Sequence, residues 1–516
     1  MRVSLLAVWL AVAFEVSAAP LPVDIDGLVT RAMQAQSVPG VAVGVVKDGE
    51  LIYARGFGVR DVQRPERVDP DTQFAIGSIT KAFTAVGLAI LVDEGQLRWD
   101  DRVIDILPEF RLHDPWVTRE FTVRDLLTHR SGLGPGAGDL MFVPKTDFTR
   151  EEVVRALRHL KPVSSFRSEF AYDNLLYAVA GEVIAKVSGQ SWEAFTESRI
   201  LEHLNMEGCA VEPLRSTSTN RASPHVLQDG QLQTVPLLEL PQVNPGGSIL
   251  CSVNGYSRWL VVQLARGEAA ALGAGRLFSE AQSAEMWTPQ TLIRAGGRRQ
   301  HLTQTHFTAY GLGWTLEDYR GFKRVSHNGG LPGMVSHVSL LPELDLGVIV
   351  LTNQEDPTAL GAVALPILDG YVGAGPPDWL QVLREEAEAR RNRQRQADAD
   401  RAPPPHDRSM QVLSLESYVG DYADAWRGKA TVSRDEKGLV LSFSRTEGLT
   451  GRLEPVSAGL FIARWEDRTI NADAYVLFSQ GFDGQIEGFR MEPVSAATDF
   501  SYDFADLDFR RLPTTP

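Results

Sequence analysis

The chain has 516 residues, a formal net charge of −15 and a pI near 5.2. That acidity argues against nucleic acid or an anionic membrane as main partner, since both call for clustered positive charge. With 43% hydrophobic and 23% charged residues and a mean hydropathy of −0.13, the chain can bury a sizeable core, and its length suits one large domain plus a smaller one.

Met1-Arg2-Val3 leads into an apolar run over residues 5–14, followed by Val16-Ser17-Ala18-Ala19. This is the pattern of a secretory signal peptide over 1–18, and it predicts a periplasmic or secreted protein. No cysteine follows the run to suggest a lipid anchor. No later stretch reaches the roughly 20 apolar residues of a transmembrane helix, so no integral membrane anchor is expected. The two cysteines, Cys209 and Cys251, could pair in an oxidising compartment, but buried free thiols fit the sequence at least as well.

Residues 41–47 and 51–55 read as strands around an Asp48-Gly49 hairpin turn. Residues 79–92 are apolar for too long to be a strand and predict a buried helix ending at Gly95. Helical patterns follow at 151–160, 175–187 and 192–204. Strand patterns return at 310–316, 323–327, 335–341 and 346–352, and a last helix is expected over 359–371. Strands at both ends with helices between them predict an α+β domain, its terminal strands meeting in one mainly antiparallel sheet flanked by helices. A domain boundary is expected over 376–408, a charged stretch running into Pro403-Pro404-Pro405. Beyond it, alternating segments at 429–433, 439–444, 461–465, 475–478 and 486–491 predict a small all-β barrel over 409–512. The expected hydrolase-sized domain covers 22–375.

Three elements carry chemistry. In Gly77-Ser78-Ile79-Thr80-Lys81, Lys81 alone among the eight lysines has a serine three positions before it. On a helix starting at Ser78 the two side chains share a face, and the helix N-terminus offers free N–H groups. An apolar helix around Lys81 would lower its pKa and let a neutral amine take the serine proton. Alternatively, Ser78 is a helix cap and Lys81 reaches out to water. In Phe170-Ala171-Tyr172-Asp173-Asn174, Tyr172 could be held partly as phenolate or relay a proton, and the Asn174 amide could bind lysine and a substrate carbonyl. A core tyrosine beside a capping asparagine is the plainer reading. In Ser326-His327-Asn328-Gly329-Gly330, the glycines would let substrate lie against backbone, and the Gly330 N–H could complete an oxyanion hole with that of Ser78. His327 offers a donor to a substrate carboxylate or to the tyrosine oxygen, unless this is a glycine-rich turn with a surface histidine.

Taken together, these elements resemble the class C β-lactamase-like serine hydrolases, which include penicillin-binding proteins, D-aminopeptidases, D,D-carboxypeptidases and several esterases. Further stretches share the resemblance: Phe74-Ala75-Ile76-Gly77, residues 126–133, Gly246-Gly247-Ser248 and Tyr310-Gly311-Leu312-Gly313-Trp314. The C-terminal part resembles the lipocalin-like β domain appended to some of these hydrolases. The resemblance implies Ser78 as nucleophile, Lys81 and Tyr172 as proton carriers, Asn174 and His327 as substrate-binding residues, and Gly329-Gly330 beside the oxyanion.

The pattern departs from the family at two places. His327-Asn328-Gly329 stands where many β-lactamases have Lys-Thr-Gly, which gives less positive charge for a β-lactam carboxylate at neutral pH. Ser164-Ser165-Phe166-Arg167-Ser168 replaces the Pro-Gly pair many relatives carry before the tyrosine. The expectation is a hydrolase of amide or peptide bonds, then esters, in small molecules or short peptides, with β-lactam hydrolysis or acyl transfer as alternatives. A binding protein on a retired hydrolase scaffold, sensing penicillin or cell-wall fragments, is the non-enzymatic alternative. Histidine and cysteine spacing suggests no metal, and no glycine motif in the right context suggests a nucleotide, so no cofactor is expected.

Overall fold

The computed structural model describes residues 21–228, 230–401 and 413–513. The expected leader and the Pro403-Pro404-Pro405 run lie outside them. Eight strands form the main antiparallel sheet. They are β1 (Gly40–Lys47), β2 (Glu50–Gly58), β3 (Thr291–Ile293), β4 (Thr308–Tyr310), β5 (Thr315–Tyr319), β6 (Phe322–Leu331), β7 (Met334–Leu341) and β8 (Leu346–Thr352). Their order is β2-β1-β8-β7-β6-β5-β4-β3, so the N-terminal hairpin joins the late strands through the β1–β8 pair, with Val43 opposite Val350. The hairpin turn falls on Asp48 and Gly49, both at positive φ, the geometry whose twist matches the flanking strands.

Helices cover both faces of the sheet. α1 (Ile25–Gln36) and α5 (Pro357–Tyr371) pack on one face, where Val41, Val43, Val45, Val348 and Val350 meet Val29, Ala359 and Val363. α4 (Val253–Leu264) packs on the other, where Ala42, Val46, Ile349 and Leu351 point. This double burial explains why β1 and β8 read as continuous apolar runs rather than alternating ones. Gly44 is fixed by the packing, since a Cβ there would lie 2.6 Å from Val253 Cγ1. Truncating a residue such as Ile349 to alanine should cost about 2–5 kcal/mol.

The helical layer beyond α4 is built on α2 (Thr80–Asp93) and α3 (Leu175–Ser188). α2 is buried from Thr80 through Leu91, so it runs through the middle of the core. Phe83 stacks on Trp259 of α4 with ring centroids 3.8 Å apart.

One expectation is corrected here, and the state of the two cysteines, open in the sequence, is fixed. Residues 310–316 are not one strand but a hairpin: Tyr310 pairs with Thr315, and the chain turns through Gly311–Trp314. The turn has to clear α2, and at Gly313 (φ +79°) a Cβ would sit 2.9 Å from the Lys81 carbonyl oxygen. The cysteines are bonded, Cys209 to Cys251. They stand directly opposite each other in a small sheet formed by Phe74–Ala75, Leu250–Cys251 and Cys209–Ala210, a register that brings their side chains together.

α6 (Trp379–Arg401) follows α5 and docks through Trp379, Val382 and Ala387, with the rest of its surface largely exposed. The C-terminal strands close an eight-stranded barrel: β9 (Gly420–Asp424), β10 (Gly428–Asp435), β11 (Gly438–Phe443), β12 (Thr446–Ser457), β13 (Leu460–Trp465), β14 (Ala474–Gln480), β15 (Ile486–Pro493) and β16 (Asp508–Arg511). Alternate residues point inward, among them Leu439, Leu441 and Phe443, and aromatic rings fill the interior. The barrel core is continuous with that of the helical layer. At the junction the Arg445 guanidinium lies 4.0 Å from the Phe148 ring centre and bonds Asp147 Oδ1 at 2.5 Å and Glu152 Oε1 at 2.8 Å.

Candidate active site

Ser78 lies in a short 3-10 turn, Gly77–Ile79, that leads into α2. Two backbone-level contacts fix the turn: the Ile76 N–H donates to the Ile249 carbonyl at 2.9 Å, and the Ile249 N–H donates to Thr80 Oγ1 at 3.2 Å. The disulfide-bonded sheet therefore holds the serine from beneath. Gly77 has φ +52°, a conformation side chains resist.

Lys81 is wholly buried one turn later. Its Nζ lies 3.0 Å from Ser78 Oγ, 2.8 Å from Asn174 Oδ1 and 2.9 Å from the Gly246 carbonyl oxygen. The last two are acceptors only. A neutral amine that donates one N–H to each keeps its lone pair for the serine hydroxyl. Burial lowers the Lys81 pKa to about 7, with Asp139 and Asp173 pulling the other way. The Gly246 carbonyl is positioned by its own neighbours, as Thr84 on α2 donates to the Pro245 carbonyl at 2.7 Å and receives the Trp192 indole N–H at 2.9 Å.

The segment before α3 delivers Tyr172 and Asn174. It is pinned by the Ala171 N–H to the His129 carbonyl at 2.9 Å and by the Gly136 N–H to the Tyr172 carbonyl at 3.0 Å. Upstream, Arg167 and Arg130 converge on the buried carboxylate of Asp125. That clamp occupies the stretch where relatives carry Pro-Gly. The Tyr172 ring centre is 4.8 Å from Lys81 Nζ. Its Oη faces the Ser78 hydroxyl without a well-formed hydrogen bond, and burial pushes the phenol above its usual range. Tyr172 therefore keeps its proton at neutral pH and is suited to relaying one; the phenolate alternative does not fit this environment. Asn174 Nδ2 donates to Asp139 Oδ2 at 2.7 Å, which fixes the amide orientation toward Lys81.

Strand β6 brings in the third element. A Cβ on Gly329 would overlap the Ile76 carbonyl oxygen at 1.8 Å, so the strand lies directly on the nucleophile turn. Beside it, the Gly330 nitrogen faces Gly77. His327 differs from expectation. Its Nδ1 is 2.6 Å from the Asn328 carbonyl oxygen and must carry the hydrogen, so Nε2 accepts from Tyr310 Oη at 2.8 Å. Burial lowers its pKa to about 3. His327 is thus neutral and engaged with Tyr310, rather than a donor to a carboxylate or to the oxygen of Tyr172.

These residues open on a cleft of about 1850 Å³, lined by Ser78, Tyr172, Asn174, His327 and Gly330 from the first domain and by Arg445 and Phe500 from the barrel. The Phe500 ring stands edge-on to Tyr172 at 6.0 Å.

A β-lactamase family profile matches residues 25–369. The chain belongs to the β-lactamase family. Residues 404–511 match a second family, described as a domain of unknown function. Among curated relatives, an unguisins hydrolase of Aspergillus campestris is 28% identical over 487 residues, covering 87% of this chain and 85% of that protein. Protein flp of Staphylococcus aureus is 25% identical over 344 residues, covering 64% and 62%. Among solved structures, an octameric penicillin-binding protein homologue from Pyrococcus abyssi superposes with a TM-score of 0.61 at 23% identity, covering 94% of this chain and 98% of that one. SurE superposes at 0.56 and 20%, covering 95% and 98%. The shared architecture extends through the barrel.

Several residues around this β-lactamase-family site were given no role by the sequence. Asp139 is fully buried and bonds Asn174; nothing in its local sequence marks it. Asp173 takes the Leu176 N–H at 3.2 Å, and burial raises its pKa to about 6. His129, at φ +52°, accepts the Asp173 N–H on Nδ1 at 3.1 Å and is pushed well below the usual imidazole range. His129, Tyr310 and Gly246 do fall within the stretches that carry the family resemblance, which was the available signal.

Proposed function

We propose that this protein is a serine hydrolase that forms an acyl-enzyme at Ser78 on amide or ester bonds of small substrates, amides foremost. The observation carrying this reading is the hydrogen bonding of Lys81, whose two obligate acceptors leave its lone pair to the Ser78 hydroxyl at 3.0 Å. Lys81 takes the proton as Ser78 Oγ attacks the carbonyl carbon. The N–H groups of Ser78 and Gly330 receive the developing oxyanion. As the C–N or C–O bond breaks, Tyr172 passes its proton to the leaving group and regains one from Lys81. Water then attacks the ester by the reverse path.

Two relatives named as hydrolases support an enzyme over a binding protein. A neutral His327 where β-lactamases place lysine weighs against efficient β-lactam hydrolysis. The Cys209–Cys251 bond supports export to an oxidising compartment.

The test is chromophore release from p-nitrophenyl butyrate, nitrocefin and D- and L-alanine p-nitroanilide. Turnover lost in both Ser78→Ala and Lys81→Ala is expected. Folded protein that turns over none of them and takes no fluorophosphonate label at Ser78 would instead favour the binding-protein alternative.

A further inference from the structure

The barrel domain reaches the catalytic residues of the first domain through a short segment between β15 and β16. At Phe500 the backbone lies on Gly136 so closely that a Cβ on Gly136 would be 2.4 Å from the Phe500 carbonyl oxygen. The next side chain, Ser501, is buried, and its hydroxyl donates to Asp139 Oδ2 at 2.9 Å. The same oxygen receives Asn174 Nδ2 at 2.7 Å, and Asn174 Oδ1 receives Lys81 Nζ at 2.8 Å. A single hydrogen-bonded chain therefore runs from the barrel to the amine beside the nucleophile.

Asp139 is the sensitive link. It is fully buried, and among the described residues its carboxylate receives side-chain hydrogen bonds from Asn174 and Ser501, while Oδ1 has no partner. Burial pushes its pKa well above the usual carboxylate range, and the Asn174 and Ser501 donors and the Lys81 charge pull against that, so loss of one donor shifts it further toward its neutral form. Neutral Asp139 no longer attracts the proton of Lys81 and no longer holds the Asn174 amide by charge.

We infer that Ser501 is a positioning residue for Lys81, acting through Asp139 and Asn174, so that seating of the barrel tunes the base of the first domain. This rests on the reading of Lys81 as proton acceptor given above. The other groups facing Lys81 do not substitute for Asp139. Tyr172 and Tyr177 are phenols pushed up by burial, and His129 and His327 are imidazoles pushed down by it. Tyr310, also pushed up by burial, stands behind His327. Asp173 also draws the Lys81 proton, but it is held by the Leu176 N–H at the start of α3 and not by the barrel. In the barrel segment, Asp499 acts on Glu355.

The experiment is an NMR titration of the full chain labelled with ¹³Cε-lysine. With eight lysines, the Lys81 signal is assigned by its absence in Lys81→Met. Relative to wild type, Ser501→Ala should lower the Lys81 midpoint by at least about half a pH unit. Ser501→Cys, a weaker donor of similar size, should move it the same way by less, and Ser501→Thr should restore it. Asp139→Asn should lower it at least as far, and adding Ser501→Ala to it should change nothing more. Ser501→Ala within about 0.2 units of wild type, or an additive double variant, would overturn the inference and leave Ser501 as a docking contact. The midpoint is read without turnover. A chain that hydrolyses nothing would therefore sink the hydrolase reading while leaving this result legible on its own.

Discussion

A Cβ on Gly77 would lie 2.7 Å from the Gly330 nitrogen, so the residue before the nucleophile and the strand opposite it meet backbone to backbone. Gly77→Ala should push the Gly330 amide away from the carbonyl position and strain a left-handed φ of +52°. The expected result is a kcat loss of about 10²-fold or more, with the protein still folded by circular dichroism. Unchanged kcat would remove Gly330 from the oxyanion site.

With Lys81 titrating at about 7, the active neutral amine is lost as pH falls. For a substrate without ionisable groups, kcat/KM should rise through a midpoint near 7. His327, at about 3, and His129, pushed well below 6.5, should add no inflection of their own between pH 5 and 8. An acidic limb centred below about 5 would point to a carboxylate base instead.

Phe500 is the barrel residue closing the cleft next to Tyr172. Phe500→Ala should raise kcat/KM for bulky acyl groups by about tenfold relative to acetyl esters. A series of p-nitrophenyl esters of increasing acyl size measures this ratio, and an unchanged ratio would mean that the acyl group lies elsewhere.

Asp125 is fully buried and receives Arg167 Nε at 3.0 Å, Arg167 Nη2 at 2.5 Å and Arg130 Nε at 3.2 Å. Asp125→Ala leaves these partly exposed guanidiniums without their anion and should cost about 1–3 kcal/mol. Urea unfolding would show this as a lower midpoint. Because Ala171 and Tyr172 follow directly from this clamp, kcat should fall as well.

The parts of the fold that were legible in the sequence are those whose signal is local. The 48–49 turn, the apolar length of α2, and the strands at 335–341 and 346–352 all carry their own periodicity or turn chemistry. Residues 310–316 misled because strand-like residues flank glycines whose necessity arises from α2, a distant segment. In the barrel, β12 contains Gly448, Gly451 and Pro455, residue types common in turns, and no strand was expected there. At Gly451, however, a Cβ would lie 2.3 Å from the Arg464 carbonyl oxygen of β13, so the glycine there serves strand packing. The cysteine pair was open for a similar reason, since only the strand register places Cys209 opposite Cys251. Within the site, Ser78 and Lys81 were visible because their spacing matches one helical turn. Asp139 and Ser501 were invisible because their contact joins positions 362 residues apart.

That separation sets an order of events during biosynthesis. Ser78, Lys81, Tyr172 and Asn174 all emerge long before Ser501, which lies between the paired strands β15 and β16. Until Ser501 is made, Asp139 lacks its second donor and Tyr172 its edge-on ring. Asp139 thus gains its second donor from a segment made 362 residues after it.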